Sequence, residues 1–252
     1  MFTDSHCHLD FKEFDKDRAA LIKLCENANI KRFIVPGITA KTWPRVLELC
    51  QQFPQAFACL GLHPWWIEKA TPQDLELLIN LLDRKNVLAL GEIGIDGAID
   101  NIEKQTEYFV KQLNIAKDKD LPVIVHHRKS HHLIVPHLKK AKLDNGGVIH
   151  AFSGSYQQAM AYIDLGYKLG IGGTITYERA SKTQKAVSKL PLASILLETD
   201  APAMPLEGFQ GQTNSPLQLP LVFKKLCQLR EESVEDIQMQ IEANVQQLFA
   251  IR

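Results

Sequence analysis

The sequence predicts a (β/α)8 barrel, a parallel eight-stranded barrel with helices outside it, formed by one domain over residues 1–252. The length of 252 residues, with 45% apolar and 23% charged residues, is typical of a single large globular unit. Eight short apolar runs alternate with amphipathic stretches along the chain. The first run ends in Asp4-Ser5-His6-Cys7-His8, whereas an open doubly wound sheet would place a glycine-rich phosphate turn there.

The apolar runs are rich in Val, Ile and Leu and mostly lack alternation, as expected of parallel strands that are buried on both faces. Each run is short enough to be one strand, and each is followed by a polar turn. In chain order they cover residues 1–8, 32–36, 56–62, 87–93, 122–126, 147–151, 167–171 and 195–199.

Three of the intervening stretches carry clear helix signals. The segment Thr71-Pro72-Gln73-Asp74 offers an N-cap, a proline at the first helical position and an acid in the first turn. Residues 102–119 have the length of a helix and carry Phe109 and Leu113 at four-residue spacing. Near the end of the chain, Ser233-Val234-Glu235-Asp236 resembles a capping box that opens an apolar helical stripe.

Charge and cysteine content restrict the function and the compartment. Lys plus Arg number 29 and Asp plus Glu number 29, so a general electrostatic clamp for nucleic acid is not indicated. The five cysteines are an odd number without a C-x-x-C pair, which favours reduced thiols. The opening Met1-Phe2-Thr3-Asp4 leaves no room for a signal peptide, and no apolar run is long enough to span a membrane. We expect a cytoplasmic protein with no evident obligate protein partner.

Histidines and carboxylates recur where the predicted strands end, which is where barrel enzymes carry their chemistry. A packed core histidine, a turn cap or a surface ion pair explains any one of these residues, but not their repeated appearance on one rim. Acidic side chains are seldom buried without a partner, and a metal cluster provides one. In chain order these residues are His6, His8, His63, Glu92, His126 or His127, His150 and Asp200.

Four imidazoles and two carboxylates are more ligands than one four-coordinate zinc ion needs. They suit two divalent ions about 3.5–4 Å apart, bridged by one carboxylate and one hydroxide. Glu92, in the middle of the strand order, is the natural bridging ligand. The mixed nitrogen and oxygen donors are compatible with Mg, Mn or Zn and select none of them sharply.

Six ordered motifs together resemble the TatD family of metal-dependent deoxyribonucleases, which belongs to the amidohydrolase-like barrels. The resemblance begins at residue 4 and extends to Asn214-Ser215-Pro216. The motifs are Asp4-Ser5-His6-Cys7-His8-Leu9-Asp10, Gly61-Leu62-His63-Pro64, Gly91-Glu92-Ile93-Gly94-Ile95-Asp96, Val125-His126-His127-Arg128, His150-Ala151-Phe152-Ser153-Gly154 and Glu198-Thr199-Asp200-Ala201-Pro202. After Asp96 the chain departs from the aromatic residues common in the family, which leaves the shape of that loop open.

The resemblance implies a ligand set for two ions. Strand periodicity does not choose between His126 and His127, but the family's H-x-R pattern selects His126 with Arg128, leaving His127 a supporting or packing role. The first metal is then held by His6, His8, Glu92 and Asp200, and the second by Glu92, His126 and His150.

The resemblance also implies hydrolysis of DNA phosphodiester bonds through two divalent ions and a bridging hydroxide, on single strands or strand ends. Asp200 is expected to act as the general base and Glu92 as the catalytic bridging ligand. The cations would hold the scissile phosphate, which removes the difficulty of zero net charge. Substrate contacts are expected from His63, Arg128, Ser153 and Gly154, the last two through backbone N–H groups at a helix start.

Three other functions compete with the deoxyribonuclease. Another metal-dependent hydrolase on the same barrel would cleave an amide, a lactone or an aminoacyl ester, because the fold alone does not fix the substrate. Many such relatives place a lysine at the end of strand four, where this chain has Glu92. A polymerase-and-histidinol-phosphatase type of phosphoesterase would need ligands for three metals. A binding module with a decayed site is disfavoured because all six expected ligands are present.

Overall fold

Eight parallel strands hydrogen-bond in chain order and form a nearly closed barrel in the computed structural model, which describes residues 1–251. The seam between the last and first strands is joined by the Ser5 N–H, which donates to the Leu197 carbonyl at 2.9 Å. The predicted (β/α)8 barrel is therefore confirmed. The strands are β1 (Phe2–Asp4), β2 (Ile30–Gly37), β3 (Ala56–Leu60), β4 (Val87–Asp96), β5 (Val123–Arg128), β6 (Gly147–Ile149), β7 (Tyr167–Ile171) and β8 (Ile195–Leu197).

The helices surround the barrel, and the three helix signals in the sequence fall where helices begin. Thr71 is the expected N-cap of its helix, and it forms a capping box with Asp74, with the Thr71 N–H donating to Asp74 Oδ2 at 2.8 Å. Ser233 Oγ accepts from the Asp236 N–H at 3.1 Å. The helices are α1 (Arg18–Asn27), α2 (Trp43–Gln52), α3 (Pro72–Leu81), α4 (Ile102–Asp118), α5 (His131–Ala141), α6 (Tyr156–Ile163), α7 (Ser181–Val187), α8 (Leu219–Leu229) and α9 (Val234–Phe249).

Apolar side chains fill two regions of the core. The larger lies between the strands and the surrounding helices, as both faces of parallel strands require. The smaller fills the barrel interior with residues such as Ile34, Ile124 and Leu196, and residues of α9 pack against it. Since Phe57 and Leu88, near the starts of their strands, also contact this cluster, α9 closes the amino end of the barrel. The carboxyl ends are left open for polar groups.

Buried polar contacts fix α9 to the barrel. Glu242 is buried, and its carboxylate accepts from the Thr3 N–H at 2.7 Å and from the Thr3 hydroxyl at 2.9 Å. Arg32 Nη2 lies 3.6 Å from the same carboxylate. The Asn244 amide donates to the Leu192 and Ile195 carbonyls at 2.9 and 2.8 Å. These bonds tie the last helix to the first and last strands.

All five cysteines are free thiols, and four of them are buried. None of the helices described for residues 1–251 combines the length and the apolar composition that a membrane crossing requires.

We predict that Glu242→Ala lowers the free energy of unfolding by about 1–3 kcal/mol, because it leaves two buried donors of Thr3 without a partner. For a domain of this size the midpoint of thermal unfolding should fall by roughly 2–4 °C per kcal/mol. The exposed residue Gln246 on the same helix is the control, and Gln246→Ala should shift the midpoint little. Equal effects of the two substitutions would show that Glu242 does not fix α9.

Candidate active site

A cavity of about 590 Å³ opens at the carboxyl ends of the strands. Its floor carries ionisable side chains, whereas the opposite end of the barrel is closed by apolar residues of α9. The imidazoles and carboxylates that line it are His8, His63, Glu92, His126, His127, His150 and Asp200.

Glu92 is the centre of this cluster. It lies within β4 and is 2% exposed, so its charge depends on its immediate neighbours. Three imidazoles surround one of its oxygens: Oε1 is 2.7 Å from His150 Nε2, 2.9 Å from His126 Nδ1 and 3.2 Å from His63 Nε2.

The second oxygen of Glu92 faces the histidines that follow β1. Oε2 is 3.3 Å from His6 Nε2 and 3.8 Å from His8 Nε2. The same two nitrogens lie 3.5 and 3.6 Å from Asp200 Oδ1. One carboxylate therefore contacts two separate groups of imidazoles through its two oxygens, and Asp200 joins one of them.

The backbone that carries His6 and His8 differs from the expected strand. We predicted that both imidazoles project from the end of the first strand, but β1 ends at Asp4 and both histidines follow it. The segment continues between its neighbours because the Cys7 N–H donates to the Ile34 carbonyl at 3.1 Å and the His8 N–H to the Ala201 carbonyl at 2.8 Å. The Asp200 N–H in turn donates to the His6 carbonyl at 2.9 Å. Pairing across the seam thus brings His6, His8 and Asp200 together.

At the end of β5 the two neighbouring histidines have different surroundings. His126 contacts Glu92, whereas the His127 ring stacks on Phe152 with 5.9 Å between centroids. Burial lowers the pKa of His127 to about 3, so it is a neutral packing group. Gly94 permits the close approach of β4 and β5: its φ is +149°, and a Cβ there would lie 2.1 Å from the His126 carbonyl oxygen.

Asp96 is a buried site residue that the strand-end pattern did not identify, because β4 extends beyond Glu92. Its Oδ2 accepts from Trp65 Nε1 at 2.6 Å and lies 3.3 Å from His126 Nε2. Burial opposes its ionisation, but these hydrogen bonds from His126 and Trp65 hold the pKa of Asp96 below its usual value. The carboxylate thus occupies Nε2 of His126 and leaves Nδ1 facing Glu92.

Two further buried carboxylates support the cluster from behind. Asp4 accepts from the Thr199 hydroxyl at 2.6 Å and the Thr199 N–H at 3.0 Å, and burial raises its pKa to about 8. Glu198 Oε1 accepts from the Ala151 N–H at 2.5 Å and lies 3.7 Å from His150 Nδ1. In the sequence, Asp4 stands two residues before His6, and Glu198 stands two residues before Asp200. This spacing from the expected ligands was the only sequence signal for the two supporting carboxylates.

Charges within the cluster stabilise one another. Burial alone would raise the pKa of Glu92, yet His150, His63 and His6 hold it well below its usual value. Burial opposes the charged form of His150, but the charges of Glu92 and Glu198 raise its pKa well above the usual range. Without a metal ion, Glu92 and His150 therefore stabilise each other's charged forms. A bound cation would take the place of the imidazole proton.

The donor set fits divalent metal ions. Both ring nitrogens of His6 are buried and, among residues 1–251, have no hydrogen bond of acceptable geometry. Buried imidazole nitrogens beside carboxylate oxygens are typical metal ligands. Three groups have ligand atoms within 4.8 Å of one another, and they are His6, His8 and Glu92; His6, His150 and Asp200; and His63, Glu92 and His126.

The residues expected to contact substrate occupy different positions. Arg128 is exposed and lines the cavity together with Ser153. His63 lies inside the cluster rather than at its edge, since its Nε2 is 3.2 Å from Glu92. Gly154 is buried outside this cavity, and its N–H donates to Thr183 Oγ1 at 3.2 Å. The Gly154 N–H is thus already paired within the protein.

A parallel barrel that gathers imidazoles and carboxylates at the carboxyl ends of its strands defines the class of metal-dependent barrel hydrolases. The sequence profile of the family described as TatD related DNase matches residues 3–250. The chain belongs to this TatD family of metal-dependent hydrolases.

Several relatives match over nearly their whole lengths. The "uncharacterized metal-dependent hydrolase YjjV" of Escherichia coli K12 is 47% identical over 254 residues, which cover 99% of this chain and 98% of the relative. A crystal structure described as YjjV, a TatD homologue from E. coli K12, gives a TM-score of 0.97 at 47% identity and covers 100% and 98% of the two chains. The mouse "putative deoxyribonuclease TATDN3" is 28% identical, with coverage of 98% and 87%.

We predict that divalent ions stabilise the fold through this cluster. An ion at about 100 times its dissociation constant adds about 2.7 kcal/mol to the free energy of unfolding, which raises the midpoint of thermal unfolding by roughly 5–10 °C. The measurement compares chelated protein with protein returned to Mn²⁺ or Zn²⁺.

In Glu92→Gln the shape of the side chain is kept but its charge is lost, so the metal-dependent rise should largely disappear. The matched control is Glu68→Gln, at an exposed position outside the cavity. An undiminished rise in Glu92→Gln would place metal binding elsewhere.

Proposed function

We propose that this protein is a deoxyribonuclease that hydrolyses DNA phosphodiester bonds with the help of two divalent metal ions. The observation that carries the proposal is the position of Glu92, whose two oxygens face separate groups of imidazoles. Such a carboxylate has the arrangement of a bridging ligand between two ions. The family description as TatD related DNase and the name of the mouse relative support DNA as the substrate.

We assign the first ion to His6, His8, Glu92 and Asp200, and the second to Glu92, His126 and His150. The contacts of Glu92 Oε2 with His6 and of Oε1 with His150 support this division. When bound, divalent ions would supply Lewis acidity toward a phosphoryl oxygen and would acidify water at neutral pH. Mg, Mn and Zn all remain compatible with the donors.

Asp200 is proposed as the general base. Its side chain is 14% exposed while that of Glu92 is 3% exposed, so Asp200 is the carboxylate of the pair that a water molecule in the cavity can reach more readily. Burial opposes its ionisation, but the charges of His6, His150 and His8 keep the pKa of Asp200 below its usual value. An ionised carboxylate at this edge can orient a water molecule and accept its proton as it attacks phosphorus.

The cavity walls offer contacts to a nucleic-acid strand. Arg128 is exposed at the wall and carries a charge that can pair with a phosphate. Trp65 and Trp66 are 54% and 41% exposed and line the same cavity, where an unpaired base can stack on an indole. A cavity of about 590 Å³ accommodates a few nucleotides rather than a duplex, which supports single strands or strand ends as substrates. The free cysteines favour a cytoplasmic setting for the reaction.

We predict that the purified protein with Mg²⁺, Mn²⁺ or Zn²⁺ cleaves end-labelled single-stranded oligonucleotides, and that Asp200→Asn lowers kcat by about 10²–10⁴-fold because the proton acceptor is lost. The matched control is Asp100→Asn, an exposed carboxylate after β4 that does not line the cavity, and it should retain activity. A gel that resolves product length measures both variants.

The competing hydrolase is tested in the same preparation with panels of amide, lactone and aminoacyl-ester substrates. Glu92 argues against it, because many relatives of that kind carry a lysine at the corresponding strand end. Oligonucleotides left intact with all three metals, together with turnover of an amide or ester, would reject the deoxyribonuclease.

A further inference from the structure

A second cavity, of about 490 Å³, lies beside the catalytic one, between the segments that follow β5 and β6 and the start of α7. His127, Lys129 and Ser153 line both cavities, so the two spaces share a wall. The two cavities are therefore immediate neighbours on this side of the barrel.

The second cavity differs from the first in its charge. Lys129, Arg179 and Lys182 line it, and none of the described residues of its wall is Asp or Glu. Within residues 1–251 these three cations take part in none of the ion pairs observed. The first cavity, by contrast, contains the carboxylates of Glu92 and Asp200. The second cavity is thus complementary to an anion, and the first to cations.

Several of its groups are held in place. Lys129 adopts the left-handed conformation with φ of +54°, and the following Ser130 hydroxyl donates to the Ile95 carbonyl at 2.5 Å and accepts from the Arg128 N–H at 3.2 Å. The Arg179 guanidinium lies 4.5 Å from the centre of the Tyr177 ring. The Ser130 contacts fix the backbone at Lys129, and the Tyr177 contact restricts the Arg179 guanidinium, which reduces the entropy that Arg179 loses when it binds a ligand.

Hydroxyl groups provide further donors. Thr183 is 3% exposed, and its oxygen already accepts from the Gly154 N–H at 3.2 Å. The Ser153 hydroxyl lies 3.5 Å from it. A hydroxyl that accepts from an N–H keeps its own hydrogen for another acceptor. Cations with adjacent hydroxyl donors are the usual surroundings of a phosphate.

We propose that this second cavity binds a phosphate of the same DNA strand whose scissile phosphate lies in the first cavity. The inference rests on the proposed deoxyribonuclease function, since it assigns a neighbouring phosphodiester of that substrate. A second phosphate site would make the enzyme favour strands with several phosphates over a dinucleotide. An ordinary solvent-exposed surface that carries lysine and arginine would also carry Asp or Glu, and it would not share lining residues with the catalytic cavity.

The test substitutes Arg179→Gln and Lys182→Gln together and compares this double variant with Lys185→Gln, an exposed lysine of α7 outside the cavity. Each protein is assayed on thymidine oligonucleotides of two to eight residues and on bis(4-nitrophenyl) phosphate, which has no second phosphate. Binding of a labelled octanucleotide is followed by fluorescence anisotropy over a range of salt concentrations.

In the unsubstituted protein kcat/KM should rise with oligonucleotide length. In the double variant, the ratio of kcat/KM for the octanucleotide to kcat/KM for bis(4-nitrophenyl) phosphate should fall about tenfold. Loss of the contacts to this one phosphate should reduce the salt dependence of binding by a slope of roughly 0.7 in log K against log salt. Lys185→Gln should change neither quantity.

Two results separate this proposal from the proposed function. DNA cleavage with the same length dependence and salt slope in the double variant would overturn the second phosphate site and leave the deoxyribonuclease intact. Octanucleotide binding that weakens about tenfold in the double variant, without cleavage of any DNA, would support the site and reject the deoxyribonuclease. An octanucleotide that does not bind at all would overturn the site.

Discussion

A carboxylate buried at the centre of five imidazoles is the constraint on which the rest of this site depends. Glu92 is 2% exposed, and an isolated charge at such a position would be strongly unfavourable. It is tolerated because its two oxygens are surrounded by the histidines that follow β1, β3 and β6 and by His126 within β5. The charge of Glu92 is therefore stable in the barrel only when histidines from distant parts of the sequence are positioned around it.

The buried groups behind the cluster explain how that positioning is achieved. Asp4 holds Thr199 next to Asp200, Glu198 holds the backbone after His150, and Asp96 orients His126. Each of these carboxylates restricts a neighbour of Glu92 without facing the cavity as a ligand. The opposite end of the barrel carries the apolar packing of α9, so stability and chemistry are divided between the two ends. The barrel can therefore hold a charged cluster at one end, because apolar packing at the other end stabilises the fold.

The barrel and most of the cluster follow from local sequence patterns. Short apolar runs predict strands, and the histidines or acids after them mark the open end, because parallel strands direct their carboxyl ends to one edge. The patterns do not show how far a strand extends. The expected first strand included His6 and His8, yet β1 ends at Asp4, and β4 extends through Glu92 to Asp96. Hydrogen bonds across the β1–β8 seam, between residues nearly 200 positions apart, hold the segment that follows β1, and pairing with β5 extends β4 to Asp96.

Local sequence patterns also did not predict which groups the site residues would contact. The motif that contains Gly154 indicated free N–H donors, but Thr183, which lies 29 positions away, accepts the Gly154 N–H. His63 was expected to contact substrate, and no sequence pattern indicated that its Nε2 lies 3.2 Å from Glu92 Oε1. Asp200 has a φ of +55°, an uncommon conformation for a residue other than glycine, and it is stabilised by the bond of its N–H to His6. Such contacts arise only when the whole barrel has closed.

Anomalous X-ray diffraction from crystals grown with Mn²⁺ or Zn²⁺ tests the role of Glu92 most directly. We expect two peaks about 3.5–4 Å apart, with a different oxygen of Glu92 coordinating each ion. His6 should lie beside one peak and His150 beside the other. A single peak, or peaks that lack Glu92 as a shared ligand, would contradict a bridged pair of ions at the centre of this barrel.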